Sequence, residues 1–215
     1  MGKDLRILYG GTFDPVHAGH LAVARAARDA FGATVHLLPA ADPPHRAAPG
    51  ASAADRAWLL SLAIEGEPGL ALDTRELRRP GPSYTVDTLR ELRAEAGPDA
   101  PLAWLLGADA FRGLASWHEW TALPGLAHLV VAVRPGHDVD PLPEPLASAC
   151  AGRWAGRPGE LAEAPAGRLF RLALPPHPAS ATELRRRLAA GLDAGDWLPP
   201  SVAAGIARRG LYRAG

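Results

Sequence analysis

The chain alternates two hydrophobic rhythms: short apolar runs, and longer segments whose apolar residues recur at helical spacing. Leu5-Arg6-Ile7-Leu8-Tyr9 is the first short run and predicts a strand that ends in a turn at Gly10-Gly11. Val23, Ala26, Ala27, Ala30 and Phe31 then follow one helical face, and Gly32 can end that helix. Thr34 to Leu38 predicts a second strand, stopped by Pro39. Strand, helix and strand in this order make a βαβ unit, which normally means parallel strands.

The same rhythm continues. Asp42-Pro43-Pro44-His45-Arg46 predicts a loop, because paired prolines exclude helix and central strand. Ser52 can cap a helix whose stripe is Arg56, Leu59, Leu60 and Ala63, and Leu70 to Asp73 predicts a short strand. A loop at Arg79–Tyr84 leads to a helix from Thr85 to Ala96, ended by Gly97. Leu102 to Leu106 and His128 to Val133 are continuous apolar runs, the mark of strands buried on both faces. The first ends at Gly107 and the second at Arg134-Pro135-Gly136. Residues 137–166 are rich in Pro, Ala and Gly and predict a loop-rich insertion. Leu169 to Leu174 predicts the last strand, and helices follow at Thr182–Ala190 and Pro200–Arg208. No internal repeat is evident. The expectation is one α/β domain over residues 1–215: an open, mostly parallel sheet with helices on both faces and a helical C-terminal portion. In such sheets ligands sit beyond the carboxyl ends of the strands.

Composition narrows the field. At 215 residues the chain can bury a substantial core without disulfides. Its 23 basic and 23 acidic side chains cancel, which argues against a nucleic-acid binder. Lys3 is the only lysine, and biased codon usage explains the arginine excess as well as any function does. Cys150 is the only cysteine, so no internal disulfide forms, and a reducing cytoplasm is expected. The N-terminus does not resemble a signal peptide, and no run of about 18 apolar residues predicts a membrane span. The sequence is compatible with a homo-oligomer and does not specify one.

The first candidate for chemistry is Gly10-Gly11-Thr12-Phe13-Asp14-Pro15-Val16-His17-Ala18-Gly19-His20. Glycines at a strand end let the backbone approach a ligand closely. A helix start offers unpaired N–H groups and the positive end of the dipole, which suits a phosphate. Two imidazoles three residues apart can add donors to the same anion. A metal reading lacks a third and fourth ligand at the usual spacing. A structural reading, with each ring bonded to a loop, is the common fate of a histidine. Asp14 suits either a ribose hydroxyl or the Gly-Gly turn, and the turn is preferred. The second candidate is Ser180-Ala181-Thr182-Glu183-Leu184-Arg185, where Ser180 or Thr182 can cap a helix. Capping alone explains many such starts, but Arg185 falls one turn in, where it can reach back toward a ligand.

The first run, with a strand before it, resembles the HxGH signature of the nucleotidylyltransferase superfamily, and the second resembles that group's S-[SA]-T-x-x-R motif. The resemblance implies a Rossmann-like fold. It also implies that Gly10, Gly11, Thr12, Phe13, His17, His20, Gly107, Asp109, Ser180, Thr182 and Arg185 bind ATP. Ala181 stands where many members carry a second serine. Three more segments narrow the likeness to bacterial nicotinate-nucleotide adenylyltransferases. Pro43-Pro44-His45-Arg46 resembles a PPHK loop, with Arg46 keeping the charge but preferring bidentate contacts. Gly81-Pro82-Ser83-Tyr84-Thr85-Val86-Asp87-Thr88-Leu89 resembles a G-x-S-Y-T-x-D-T-L loop. Gly107-Ala108-Asp109, followed by Trp117, resembles a G-x-D…W segment.

This narrower resemblance implies transfer of the adenylyl group of ATP to nicotinate mononucleotide, with Mg²⁺ carried mainly by the ATP phosphates and water. His17, His20, Arg46 and Arg185 would be catalytic. His45, Arg46, Ser83, Tyr84, Thr85, Trp117 and Arg134 would bind the mononucleotide. Trp117 offers a face for the pyridine, although a lone tryptophan is more often a packing residue. Backbone N–H groups at Tyr84-Thr85 could meet the nicotinate carboxylate. Asp109 suits ribose hydroxyls. His36, His118, His128, His137 and His177 show no convincing partners. The alternatives are an enzyme acting on nicotinamide mononucleotide or another phosphate acceptor, and a catalytically silent nucleotide sensor. Retention of both histidines and Arg185 weighs against silence.

Overall fold

The structure is a computed structural model that describes residues 4–43, 48–136 and 139–213. Its centre is a six-stranded sheet in the order β3-β2-β1-β4-β5-β6. The strands are β1 (Arg6–Gly11), β2 (Val35–Pro39), β3 (Leu70–Leu72), β4 (Leu102–Gly107), β5 (His128–Val133) and β6 (Leu169–Ala173). Every strand pair is parallel. Continuous apolar runs explain this, because each strand is covered on both sides.

Side chains alternate between two cores. Ile7, Leu37, Ala103, Leu105 and Val130 enter one of them. Against it pack α1 (Ala18–Phe31), α2 (Ala53–Ile64), α8 (Ala181–Ala189) and α9 (Pro200–Arg209). Leu8, Leu38, Trp104, Leu106 and Val131 enter the other. There the sheet meets α4 (Thr85–Ala96), α5 (Ala108–Arg112), α6 (Leu123–Leu126) and α7 (Leu146–Cys150). The single-turn helix α3 (Arg75–Arg78) follows β3, and single 3-10 segments lie at Leu114–Ser116, Trp120–Ala122, Pro158–Glu163 and Gly195–Trp197. This is the Rossmann-like α/β architecture.

The chain leaves β1 toward the first core and β4 toward the second, so the strand order reverses between neighbours. Such a switch opens a crevice at the carboxyl ends of β1 and β4, where α/β sheets take their ligands. Two boundaries differ from the sequence reading. Gly10 and Gly11 are not a turn but the last residues of β1, paired with Leu38 and Pro39. Pro39 closes β2 rather than stopping short of it. Within the Pro- and Ala-rich segment, α7 and the turn at Pro158–Glu163 bury Leu146, Cys150 and Leu161. No helix among the described residues is long and apolar enough to cross a membrane.

Candidate active site

His17 is the N-cap of α1, with extended backbone at φ −145 and ψ 170. Its ring nitrogen Nδ1 accepts from the His20 backbone N–H at 3.4 Å. The His20 Nδ1 accepts in return from the His17 N–H at 3.3 Å. This reciprocal cap satisfies helix-start donors that would otherwise be orphaned. It also assigns the tautomers: with both Nδ1 atoms accepting, the proton of each neutral ring sits on Nε2. The rings stack with centroids 3.7 Å apart, so both Nε2–H groups belong to one local surface. Gly19 is explained here by space, because a Cβ on it would sit 3.0 Å from the His17 ring and 3.3 Å from His177.

His17 is only 4% exposed. Burial, then the charges of His177 and Arg134, pull its pKa from the usual 6.5 down to about 4. At neutral pH it is a dipolar donor, not a cation. His177, read from sequence as unpartnered, stands against this turn, and its Nδ1 accepts from the Ala179 N–H at 3.1 Å. Arg134, at the end of β5, lends its charge to both His17 and His177.

Burial reassigns several residues. A Cβ on Gly10 would meet the Trp104 ring at 2.3 Å, and one on Gly11 would meet the Phe13 ring at 3.1 Å. Those two glycines make room for aromatic rings. A Cβ on Gly107 would meet nothing within 4 Å, so the free approach lies at the end of β4, next to exposed Asp109. Phe13 is 1% exposed, with a left-handed φ of 49. That backbone costs an L-residue about 1–2 kcal/mol. Packing of its ring edge-on against Tyr9 and His20 offsets the cost. The Phe13 ring supports the histidine turn.

Asp14 holds neither a ribose position nor the Gly-Gly turn. It is 5% exposed and accepts from the N–H groups of Gly50 at 2.8 Å and Ala51 at 3.2 Å. Arg56, fully buried, holds the same region from the other side. It donates to the carbonyls of Thr12 at 2.6 Å, Ala40 at 2.7 Å, Ala41 at 3.2 Å and Ala51 at 3.3 Å. Sequence reasoning missed this role. The available signal was a charged residue inside the apolar stripe of α2.

The second motif reaches the first. Ser180 is the N-cap of α8 by position, yet no side-chain hydrogen bond caps that helix. Arg185 donates to the main-chain carbonyl of Asp14 at 2.7 Å, across 171 residues of sequence, and to the Thr182 hydroxyl at 3.5 Å. Ser180, Thr182 and Arg185 thus stand next to the histidine turn.

Across the crevice, Tyr84 is the N-cap of α4 and has no side-chain cap hydrogen bond, which leaves the first N–H groups of that helix available. The Ser83 hydroxyl is taken up elsewhere. It accepts from the N–H groups of Ala41 at 3.0 Å and Asp42 at 3.3 Å, so it ties two loops together. His118, also read as unpartnered, stacks on Tyr84 with centroids 4.3 Å apart. Trp117 is half-buried and packs against the second core. His45 and Arg46 lie outside the described residues. Among the described residues, no group of three or more His, Cys, Asp or Glu side chains gathers as a metal cage would require. A cavity of about 710 Å³ opens at the amino ends of the strands, lined by Arg6, Phe31, His36 and Pro158, away from all these groups.

The description Cytidylyltransferase-like belongs to the family profile that matches residues 8–187. A relative from Stenotrophomonas maltophilia, named "Probable nicotinate-nucleotide adenylyltransferase", is 59% identical over 97% of each chain. One of the same name from Xylella fastidiosa is 50% identical over 97% of this chain and 96% of its own. The Plasmodium falciparum nicotinic acid mononucleotide adenylyltransferase, solved in complex with NaAD, superposes with a TM-score of 0.73 over 97% of each chain. At 16% identity that likeness bears on the fold alone.

Proposed function

This chain belongs to the cytidylyltransferase-like family, among its nicotinate-nucleotide adenylyltransferases, and from that premise we propose that it joins ATP to nicotinate mononucleotide. The products are deamido-NAD and pyrophosphate. The 5′-phosphate oxygen of the mononucleotide attacks the α-phosphorus of ATP in line, and the bond to the pyrophosphate oxygen breaks. A phosphate monoester is already an anion, so no strong base is needed. Catalysis rests on aligning two anions and meeting the charge that develops between them.

The observation that carries this reading is the convergence of two anion-binding helix starts on one spot, through Arg185 and Asp14. The Nε2–H groups of His17 and His20 serve the α-phosphate. Ser180, Thr182 and Arg185 serve the leaving pyrophosphate, and Arg134 adds charge between them. Gly107 gives the nucleotide an open approach, and Asp109 meets a ribose. Mg²⁺ bound with the nucleotide would supply positive charge against the phosphates, beside Ser180, Thr182 and Arg185. The lone cysteine, Cys150, is buried, in keeping with a reducing cytoplasm.

The acceptor is assigned to the acid form because the uncapped start of α4 offers N–H donors to a carboxylate. By the family resemblance Trp117 is assigned to the pyridine, and His45 and Arg46 to the acceptor phosphate. An amide would turn its own N–H₂ donor toward those donors. Pyrophosphate release with ATP and each mononucleotide in turn tests this. We expect kcat/KM for the acid to exceed that for the amide by roughly a hundredfold or more. Equal values would remove the carboxylate site, and no release with either would favour a silent sensor.

A further inference from the structure

The contacts of Asp14 go beyond the motif that contains it. Its Oδ2 accepts from the Gly50 N–H at 2.8 Å and lies 3.5 Å from the Arg185 guanidinium. Its Oδ1 accepts from the Ala51 N–H at 3.2 Å and from the Tyr212 hydroxyl at 2.8 Å. Its own carbonyl accepts from Arg185 at 2.7 Å. All four groups facing the carboxyl are donors. Only an ionised carboxylate accepts from all of them, because an amide would turn an N–H₂ toward at least one. The carboxylate and Tyr212 are both almost fully buried, so this is a built arrangement and not a surface ion pair.

We infer that Asp14 is a positioning residue for the transfer reaction, with Tyr212 as its support, and that together they hold Arg185 against the histidine turn. The inference rests on the reading that Arg185 grips ATP. Arg185 has a half-exposed, rotamer-rich side chain, and a free arginine loses substantial entropy when it closes on a ligand. Anchoring one edge on the Asp14 carbonyl and carboxylate removes much of that loss in advance. The other edge points to the Thr182 hydroxyl, at the helix start where the leaving phosphates would lie. Gly50 accommodates the same arrangement, because a Cβ there would press at 3.2 Å on both Arg185 and Tyr212. The last turn of the chain, which carries Tyr212, therefore completes a site whose reacting groups lie near its beginning.

A double-mutant cycle on the full-length protein tests this, read as pyrophosphate release with thermal unfolding measured alongside. Asp14→Asn should raise the ATP KM about tenfold and leave the mononucleotide KM within about twofold. In the Arg185→Ala background the same change should alter the ATP KM by less than about twofold, because Asp14 then has nothing to position. Multiplicative losses in both backgrounds, or equal rises in both Michaelis constants, would assign Asp14 a structural role only. If Asp14→Asn does not fold, Tyr212→Phe decides. It should raise the ATP KM about threefold alone and not at all with Arg185→Ala, and any other result overturns the inference. An impaired Arg185→Ala beside a normal Asp14→Asn ends this inference alone. A normal Arg185→Ala ends the assigned role of Arg185, and this inference with it.

Discussion

His17 and Ser180 each stand at the N-cap of a helix that begins beyond a strand, yet the two caps are filled differently. The His17 cap is closed: its side chain and that of His20 satisfy each other's N–H groups, and Phe13 and Asp14 beneath them are buried. The Ser180 cap is open: the residue is exposed, and no side-chain hydrogen bond caps α8. The first site is organised before any nucleotide arrives, with donors fixed and desolvated. Donors of that kind are the ones that act on charge developing in a transition state. The second site leaves its helix start uncapped, with Arg185 held in advance against Asp14 and Thr182. In the proposed reaction the closed motif serves the reacting phosphorus and the open one the leaving group.

The largest expected effect is on the closed side. His17→Ala should lower kcat by roughly a hundred- to a thousandfold, the usual scale for one lost charge-stabilising donor. Circular dichroism should still report a folded protein. Near-normal turnover in that folded variant would move the phosphate site to His20 and the backbone.

A slightly smaller effect concerns stability against pH. His17 titrates near 6.5 when unfolded and near 4 when folded. Between those values the unfolded chain holds a proton that the folded chain refuses, so this contribution is present above about pH 6.5 and is lost as pH falls toward 4. Its full size is about 3 kcal/mol. Buried His128 and half-buried His36 slope the same way. The difference between parent and His17→Asn isolates His17, because Asn keeps a capping oxygen but does not titrate. Thermal unfolding from pH 7 to pH 4.5 should show the variant losing less stability than the parent. Parallel curves would mean that the closed cap is hydrated in solution.

The smallest effect lies on the open side. Ser180→Ala should change stability by less than about 0.5 kcal/mol, against the ~1 kcal/mol of an occupied cap. It should still raise the ATP KM about two- to tenfold, the worth of one hydrogen bond. A stability loss as large as that of an ordinary cap would erase the distinction between the two helix starts.

Much of this was legible along the chain. The strands at 102–106 and 128–133 are apolar runs that no helical spacing imitates, and the structure places them within a residue of that reading. Both phosphate motifs, and their position beyond strand ends, could be read locally. The short helices α3, α6 and α7 could not, since four or five residues are too few to show a period. His118 looked unpartnered because its partner, Tyr84, is distant in sequence.

Periodicity, glycines and helix-start signatures are local, and by themselves they determined the βα alternation, the parallel sheet and the two helix-start motifs. Tertiary structure alone decided what fills the space around them. Gly10 yields to the Trp104 ring from the neighbouring strand, Ser83 is spent on the loop after β2, and Arg56 is buried among carbonyls of three loops. The physical reason is the same in each case. A buried polar group must find its partner wherever the fold brings one, and packing assigns that partner without regard to distance along the chain.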